Sequence, residues 1–224
     1  MIMIKNVEKH YGRNNVLKKI NLEIHPGDCI GIVGANGSGK TTLLSIISGM
    51  LNADAGELLI DDKNILNSKK LLSEYISYVP QENPLIGELS AMDNLRLWYK
   101  GSKKELNEEL SSGILHTLGI DSFVSKTVNK MSGGMKKRLS IGIALLSNPK
   151  LLVMDEPSAA LDIAGKYEIK KYMNYYTSEK HGSILIVSHD FSELSVCNRL
   201  YLLKDGILKE IPNDTDESKL VSML

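Results

Sequence analysis

Residues 29–41 read Cys-Ile-Gly-Ile-Val-Gly-Ala-Asn-Gly-Ser-Gly-Lys-Thr and join a continuous apolar run to a glycine-rich turn. The run at 29–33 is typical of a strand that is covered on both faces of a sheet. Residues 34–41 satisfy the eight-position P-loop pattern, and an apolar pattern of helical period follows them. The stretch therefore predicts a strand, a phosphate-binding loop and a helix in succession, which favours an α/β fold.

The loop offers several groups to a phosphate. Its glycines allow the backbone to curl so that successive N–H groups point at one anion, and the helix that follows adds its unpaired N-terminal donors. Lys40 is expected to contact the outer phosphates, and the Thr41 hydroxyl is expected to ligate Mg²⁺. The alternative, a flexible glycine turn, is disfavoured by the flanking strand and helix. The predicted nucleotide-binding residues of the loop are Asn36, Gly37, Ser38, Gly39, Lys40, Thr41 and Thr42.

Two carboxylates follow a second apolar run at residues 151–154. Taken alone, an Asp-Glu pair after such a strand more often solvates a loop or caps a helix. With a P-loop in the same chain, the pair is expected at the carboxyl edge of the sheet, where α/β folds bind their ligands. Asp155 is then placed to hold Mg²⁺ through water, and Glu156 to orient the attacking water or to accept its proton.

The order of apolar patterns predicts an α/β fold with a P-loop NTPase core, a mainly parallel sheet, an antiparallel β part at the N-terminus and an inserted helical subdomain. The core is assigned to residues 1–80 and 149–224, and the helical insertion to 81–148. Strands are predicted at 2–7, 16–24, 29–33, 58–60, 76–79, 151–154, 183–187 and 200–203. Helices are predicted near 69–74, 93–99, 103–118, 133–146, 164–177 and 191–197, with a loop at 212–219 before a short terminal helix.

Charge and hydropathy limit the possible partners. The 27 basic and 27 acidic side chains of the 224 residues give a formal net charge of zero, whereas a dedicated nucleic-acid binder needs a basic excess. No nucleic-acid partner is expected. The longest uncharged apolar-leaning stretch, residues 139–149, is well short of the roughly 20 residues of a membrane-spanning helix. Any membrane role is therefore expected to be peripheral.

The chain start and the cysteines indicate the compartment. The first residues become charged at Lys5, so no signal peptide is expected. Cys29 and Cys197 are far apart in the chain and offer neither a disulfide framework nor a metal-binding spacing, which fits a reducing cytosol. Both are expected to be small buried hydrophobic residues.

Further segments, taken in chain order, resemble one known family. The segment Met131-Ser132-Gly133-Gly134-Met135-Lys136 looks like an LSGGQ signature, and residues 157–162 follow Glu156 like a D-loop. Residues 187–190, which include His189, are similar to a switch-histidine segment. Gln81 looks like the Q-loop glutamine, and Tyr11 like the aromatic residue that stacks on adenine. Over nearly all of its length, the chain resembles the nucleotide-binding domain of ABC ATPases.

The resemblance implies that two such domains meet head to tail around two Mg-ATP molecules. Ser132, Gly133 and Gly134 would then contact the γ-phosphate held by the partner's P-loop, and the positive end of their helix suits an anion. Asp162 would lie at the dimer interface, His189 would contact the γ-phosphate, and Gln81 would join the metal site. Each residue also has a simpler interpretation, since Ser132 and Asp162 fit helix caps, Gln81 a loop and His189 a surface side chain.

The signature departs from the usual one at Met135, where glutamine is common, and at Met131, where leucine is common. This variant resembles that of many exporter-type ATPases. The basic run at 136–138 that follows it is, by itself, typical of a solvated helix face.

The resemblance implies an ATP-hydrolysing transporter subunit at the inner face of the cell membrane. Its partners would be separate membrane-spanning permease subunits and a second ABC ATPase domain, either another copy or a related chain. Gln81 and the helical block at 83–100 would transmit the nucleotide cycle to the permease. The alternative is a soluble ABC ATPase of an assembly scaffold, for example in iron-sulfur cluster assembly, with the same site chemistry. A P-loop small-molecule kinase ranks lower, because it leaves Ser132-Gly133-Gly134 unexplained.

Overall fold

The computed structural model describes residues 1–159 and 161–224. Its strands are β1 (Ile2–Tyr11), β2 (Asn14–Ile24), β3 (Cys29–Val33), β4 (Ala55–Ile60), β5 (Lys63–Asn64), β6 (Ile76–Val79), β7 (Leu151–Asp155), β8 (Ser183–Val187), β9 (Arg199–Lys204) and β10 (Ile207–Ile211). Its helices are α1 (Lys40–Ile47), α2 (Lys69–Tyr75), α3 (Ala91–Trp98), α4 (Lys103–Ser111), α5 (Ile114–Thr117), α6 (Gly133–Leu145), α7 (Ile163–Ser178), α8 (Phe191–Leu194) and α9 (Glu217–Met223). Two short 3₁₀ turns span Asp121–Phe123 and Val128–Lys130.

A six-stranded sheet runs in the order β10-β9-β3-β8-β7-β6. The strands from β9 to β6 pair in parallel, and β10 pairs antiparallel to β9. Every residue of β3, β7 and β8 is buried, as expected when both faces of a parallel sheet are covered. Because these strands are parallel, the segments that follow β3, β6, β7 and β8 all leave the sheet at one edge. The predicted α/β class is confirmed.

A second sheet has four antiparallel strands in the order β2-β1-β4-β5, which confirms the antiparallel pairing predicted for the first two strands. It shares one hydrophobic core with α1 and with alternate residues of the parallel strands, such as Ile30, Ile32 and Val153. The other faces of the same strands, including Leu152 and Met154, pack in a second core with the helices that lie between β6 and β7. The parallel sheet therefore separates the two cores. Successive side chains of a strand point to opposite faces of the sheet, so neighbouring residues enter different cores.

Helices and turns fill the described chain between β6 and β7, apart from one isolated bridge between Ser90 and Thr127. The division into a core at 1–80 and 149–224 and an insertion at 81–148 stays a prediction. None of the described helices combines the length and the apolar character needed to cross a bilayer.

Several elements differ from the sequence prediction, among them β5 (Lys63–Asn64), which was not predicted. The helix predicted at 103–118 is broken into α4 and α5, because the backbone leaves the helical conformation at Ser112 and Gly113. The carboxylate of Glu109 accepts a hydrogen bond from the backbone N–H of Ile114, the first residue of α5. The helix predicted at 191–197 ends at Leu194. The terminal helix begins at Glu217, inside the loop predicted at 212–219, because Asp216 caps it by accepting a hydrogen bond from the backbone N–H of Lys219. Strand β10 was not predicted; it forms a hairpin with β9 through Asp205 and Gly206, which both have positive φ, the requirement of a tight two-residue turn.

The two cysteines are buried, as predicted. Their Sγ atoms lie 3.6 Å apart, although 168 positions separate them in the chain. Only the packing of β3 against the segment after α8 brings them together, so sequence spacing could not indicate this contact.

Candidate active site

The P-loop connects β3 to α1 with the backbone conformations that its glycines permit. Gly37 and Gly39 have φ values of 80° and 105°, which residues with a Cβ rarely adopt. A Cβ on Gly39 would also come within 3.0 Å of the Val16 side chain. Helix α1 begins at Lys40, so the unpaired N–H groups of its first turn face the loop.

Lys40 is almost enclosed by this loop, with 8% of its surface exposed. Its Nζ donates hydrogen bonds of 2.6 Å to the carbonyl of Gly34 and 3.0 Å to that of Ala35. Burial lowers the pKa of Lys40, and the nearby carboxylates of Glu156 and Asp155 oppose that shift. A buried cation is costly unless charged or polar partners compensate it, so this environment favours an anionic ligand beside Lys40.

Asp155 is the last residue of β7 and is buried. Its Oδ2 accepts a hydrogen bond of 3.2 Å from the hydroxyl of Tyr78 on the neighbouring strand β6. Burial raises the pKa of Asp155, against the effect of that hydrogen bond and of the Lys40 ammonium. The pairing of β6 and β7 therefore orients the carboxylate at the sheet edge.

Glu156 follows with a φ of 45°, a conformation that costs a non-glycine residue energy and is concentrated at functional sites. Its Oε2 accepts a hydrogen bond of 3.2 Å from the backbone N–H of His189. Its Oε1 is buried without a hydrogen bond, 3.5 Å from Nε2 of the His189 ring. Burial raises the pKa of Glu156. The carboxylate is thus held by one oxygen and has an acceptor available on the other.

One cavity of about 560 Å³ brings most of the predicted site residues together. Its lining includes Asn36, Gly37, Gly39, Lys40, Thr41, Thr42, Gln81, Asp155, Glu156 and His189. Val16 and Val187 supply the apolar part of the wall. The Thr41 hydroxyl, the Gln81 amide oxygen and the Asp155 carboxylate are hard oxygen donors, which suit Mg²⁺. Together with Lys40 and the loop N–H groups, this donor set fits a magnesium-bound polyphosphate.

Other predicted residues lie outside this cavity. Ser38 lines a neighbouring hollow of about 370 Å³, and its Oγ is buried without a hydrogen bond. Tyr11, at the end of β1, is 52% exposed, and the Lys9 ammonium lies 5.8 Å from the centroid of its ring. Nothing in this geometry assigns Tyr11 to adenine, which stays a prediction.

The signature residues lie at the start of α6. Ser132 is its N-cap and accepts a hydrogen bond from the backbone N–H of Met135, so the capping interpretation is correct. Ser132 and Gly133 are exposed and do not line this chain's own cavity. Asp162 likewise caps α7 and is exposed. The D-loop prediction also includes position 160, which lies outside the described residues.

The pattern of the basic run at 136–138 had suggested a solvated helix face. The structure contradicts this interpretation. Lys137 is only 1% exposed, and its Nζ donates hydrogen bonds of 2.9 Å to the carbonyls of both Pro80 and Gln81. Burial lowers its pKa to about 8. Arg138 is half-buried over the ring of Phe123. The signal missed in the sequence is helical spacing, since Ile141 lies one turn after Lys137 on the buried side of α6.

Sequence reasoning also missed a buried carboxyl behind the histidine segment. Glu193 is fully buried and accepts a hydrogen bond from the hydroxyl of Ser188, the residue before His189. Burial raises its pKa. A glutamate on a four-residue helix gives no periodic pattern, so its burial follows only from the tertiary packing.

Comparisons with known proteins agree with this geometry. The family described as ABC transporter matches residues 17–159, more than half of the chain. The linearmycin resistance ATP-binding protein LnrL of Bacillus subtilis is 30% identical over 219 residues, which cover 96% of this chain and 70% of LnrL. The spermidine/putrescine import ATP-binding protein PotA of Mycoplasma mycoides is 31% identical, with 94% of this chain and 61% of PotA covered.

A solved structure supports the same assignment. The ATP-binding cassette MJ0796, in a dimeric post-hydrolysis state bound to ADP and Pi, matches with a TM-score of 0.82 and 29% identity, covering 96% of this chain and 100% of that one. The names of these relatives favour the transporter expectation over the assembly-scaffold alternative. By its fold, its P-loop and its similarity across both cores, this chain belongs to the ABC transporter family and is one of its ATP-binding, ATP-hydrolysing cassettes.

Proposed function

We propose that this chain binds Mg-ATP in the cavity of about 560 Å³ and hydrolyses it as one half of a head-to-tail pair of cassettes that drives a membrane permease. The observation that carries the proposal is the meeting, in one cavity, of Lys40, Asp155, Glu156 and His189. These residues come from three separate segments of the chain, since Asp155 and Glu156 are neighbours, and they converge at the carboxyl edge of the sheet.

Binding is assigned to the loop and to α1. Lys40 and the N–H groups of residues 37–42 contact the β- and γ-phosphates. The positive charge of Lys40 acts strongly on the phosphates because its ammonium is buried. Thr41, Gln81 and Asp155 hold Mg²⁺, which supplies charge neutralisation at the phosphate oxygens when bound. Tyr11 stacks on the base.

Glu156 is the general base. Its Oε1 has no hydrogen-bond donor in the described structure and accepts a proton from water while the water oxygen bonds to the γ-phosphorus. The bond from that phosphorus to the bridging oxygen breaks, and ADP leaves. The backbone N–H of His189 holds the other oxygen of Glu156 in place, and the exposed His189 ring contacts the γ-phosphate.

A second cassette completes the site. The N-terminus of α6 is exposed at Ser132 and Gly133 and does not line its own cavity, so its free donors are available to a phosphate on another copy or on a related chain. Asp162 lies at the interface between the two. Dimeric MJ0796 with ADP and Pi provides a precedent for such pairing in a relative.

The permease contact is assigned to residues 83–100 after Gln81, at the cytoplasmic face of the membrane. This block contains the exposed side chains of Ile86, Leu97 and Trp98. One relative is named for resistance and another for import, so the direction of transport is not part of the proposal.

The test is affinity purification of tagged Glu156→Gln protein with Mg-ATP from gently solubilised native membranes. We expect a polytopic membrane protein in stoichiometric amount, and we expect it to change the ATPase rate of the wild-type chain after reconstitution. Recovery of a soluble scaffold without any membrane subunit would contradict the transport role and leave the nucleotide chemistry intact.

A further inference from the structure

Lys137 connects α6, the helix that Ser132 caps, to the turn that contains Gln81. The two carbonyls that it contacts, those of Pro80 and Gln81, come directly after the end of β6. Strand β6 is the edge of the parallel sheet, and its pairing with β7 ends at Val79, just before these groups. The Lys137 ammonium replaces the hydrogen bonds that the sheet no longer supplies there.

The choice of a lysine at this position is costly for the fold. Its side chain is buried in α6 among apolar neighbours on the same helix, and within the described residues it forms no ion pair. Burying a charge costs free energy unless charged or hydrogen-bonding partners compensate it. The charge is favoured by the two carbonyls that it holds and by the nearby carboxylates of Glu193 and Asp155, which oppose the effect of burial on the pKa of Lys137. Of these groups, only the two carbonyls accept hydrogen bonds from the ammonium in the described residues.

Gln81 depends on that contact. Its side chain is exposed at the cavity, and in the described structure its carbonyl accepts its only hydrogen bond, from Lys137. Without the ammonium, the turn after β6 would have no polar contact at this residue, and the direction of the Gln81 amide would vary.

We propose that Lys137 is a positioning residue that fixes the backbone of Gln81 and so orients its amide towards the metal beside Asp155. The proposal rests on the assignment of Gln81 to the metal site. Lys137 and Ser132 belong to one helix, about 7–8 Å apart along its axis at 1.5 Å per residue. The same contact therefore sets the distance between Gln81, which serves this copy's nucleotide, and Ser132, which serves the partner's.

The test compares Lys137→Met with a matched control, Lys104→Met, which removes an exposed lysine of α4. Methionine keeps the unbranched shape of lysine and removes its donors. The readout is binding rather than turnover: the non-hydrolysable analogue AMP-PNP is titrated by calorimetry in EDTA and again over a range of Mg²⁺ concentrations. We expect an unchanged dissociation constant in EDTA and an increase of about tenfold in the Mg²⁺ concentration for half-maximal binding, the effect of losing one good charge-assisted hydrogen bond. The control should match the wild type in both.

A double-mutant cycle with Gln81→Ala separates positioning from packing. Once the amide is absent, Lys137→Met should add no further change in the Mg²⁺ requirement. An equal change in both backgrounds would overturn the proposal and leave Lys137 only its packing and its charge near Asp155. If Gln81→Ala alone leaves the Mg²⁺ requirement at the wild-type value, the metal assignment of Gln81 fails, and the positioning role fails with it. Should the methionine variant not fold by circular dichroism, Lys137→Leu, which also lacks donors, replaces it in the same cycle.

Discussion

The backbone N–H of His189 donates a hydrogen bond of 3.2 Å to Oε2 of Glu156, and this contact ties the segment after β8 to the segment after β7. The two residues are 33 positions apart. One oxygen of Glu156 is occupied in this way, and the buried Oε1, which has no hydrogen bond in the described residues, is the acceptor that remains.

Replacing Glu156 by glutamine should remove the proton acceptor and keep the shape of the site. We expect kcat to fall by about 10²- to 10⁴-fold, the usual contribution of a general base, with ATP affinity preserved and an ATP-stabilised dimer accumulating. Phosphate release and sedimentation with Mg-ATP measure the two effects. Unchanged turnover would exclude Glu156 as the base.

Replacing Lys40 by alanine should weaken nucleotide binding. The substitution deletes a buried cation and its bonds to the loop carbonyls, and hydrogen bonds to charged groups contribute about 1.5–3 kcal/mol, or about 10- to 100-fold in affinity. Equilibrium titration with Mg-ATP measures the change, and circular dichroism controls for folding. Intact affinity would place Lys40 away from the phosphates.

Replacing Ser132 by alanine should separate binding from pairing. Ser132 does not line its own cavity, so the affinity of a monomer for ATP should stay at the wild-type value. The ATP-dependent dimer should weaken, because a donor to the partner's nucleotide is lost, and the helix should lose about 1 kcal/mol of capping. Sedimentation of the Glu156→Gln protein with and without Ser132→Ala measures dimerisation. An equally stable dimer would contradict the role in trans.

Replacing Tyr78 by phenylalanine removes only the hydroxyl that contacts Asp155. The carboxylate then becomes less constrained, and we expect the Mg²⁺ requirement for nucleotide binding to rise severalfold while the affinity in EDTA stays constant. The expected loss of folding stability is small, about 0.5–1.5 kcal/mol for one hydrogen bond. Identical Mg²⁺ titrations of the two proteins would show that Tyr78 does not orient Asp155.

Asp28 should make stability depend on acid pH. Burial would raise its pKa, but hydrogen bonds from the His25 backbone, Asn198 and Arg199 outweigh that effect and hold the pKa below its ordinary value of 3.8. A carboxyl with a lowered folded-state pKa stabilises the protein above its unfolded pKa, and this stabilisation is lost as the pH falls through the folded pKa. Urea unfolding between pH 6 and the acid limit should show this loss in the wild type.

In the Asp28→Asn protein that pH-dependent component should shrink, and the variant should be less stable near neutral pH by about 1.5–3 kcal/mol, because the hydrogen bonds to a buried charge are lost. Parallel pH profiles for the two proteins would assign the acid sensitivity to other carboxyls.

The order of elements in the core was predictable from the sequence because its patterns are local. A strand covered on both faces, a glycine loop with positive φ at Gly37 and Gly39, and a helix starting at Lys40 are adjacent in the chain. Parallel strands then bring their carboxyl ends to one edge, so Lys40, Asp155, Glu156 and His189 could be expected to share a cavity.

Features that depend on local side-chain chemistry were harder to predict. The break between α4 and α5 lies at Ser112 and Gly113, where the backbone leaves the helical conformation, and β10 follows from a turn at Asp205 and Gly206. At the first site the residues also fit a continuous helix, and at the second they also fit a loop. The apolar pattern cannot decide between such alternatives, because the preference of a single cap or turn is not visible in it.

By itself, the sequence determined the chemistry of the phosphate loop and the succession of strands and helices, since both depend on neighbouring residues and on backbone conformation. Only the tertiary structure decided which charged side chains are buried and what they contact. Lys137 holds the turn of Gln81 and the Tyr78 hydroxyl holds Asp155 across 56 and 77 positions of chain. Such contacts arise from the packing of α6 and β7 against β6. The interaction energy of each contact depends on how deeply its polar groups are buried, and no local sequence pattern specifies that burial.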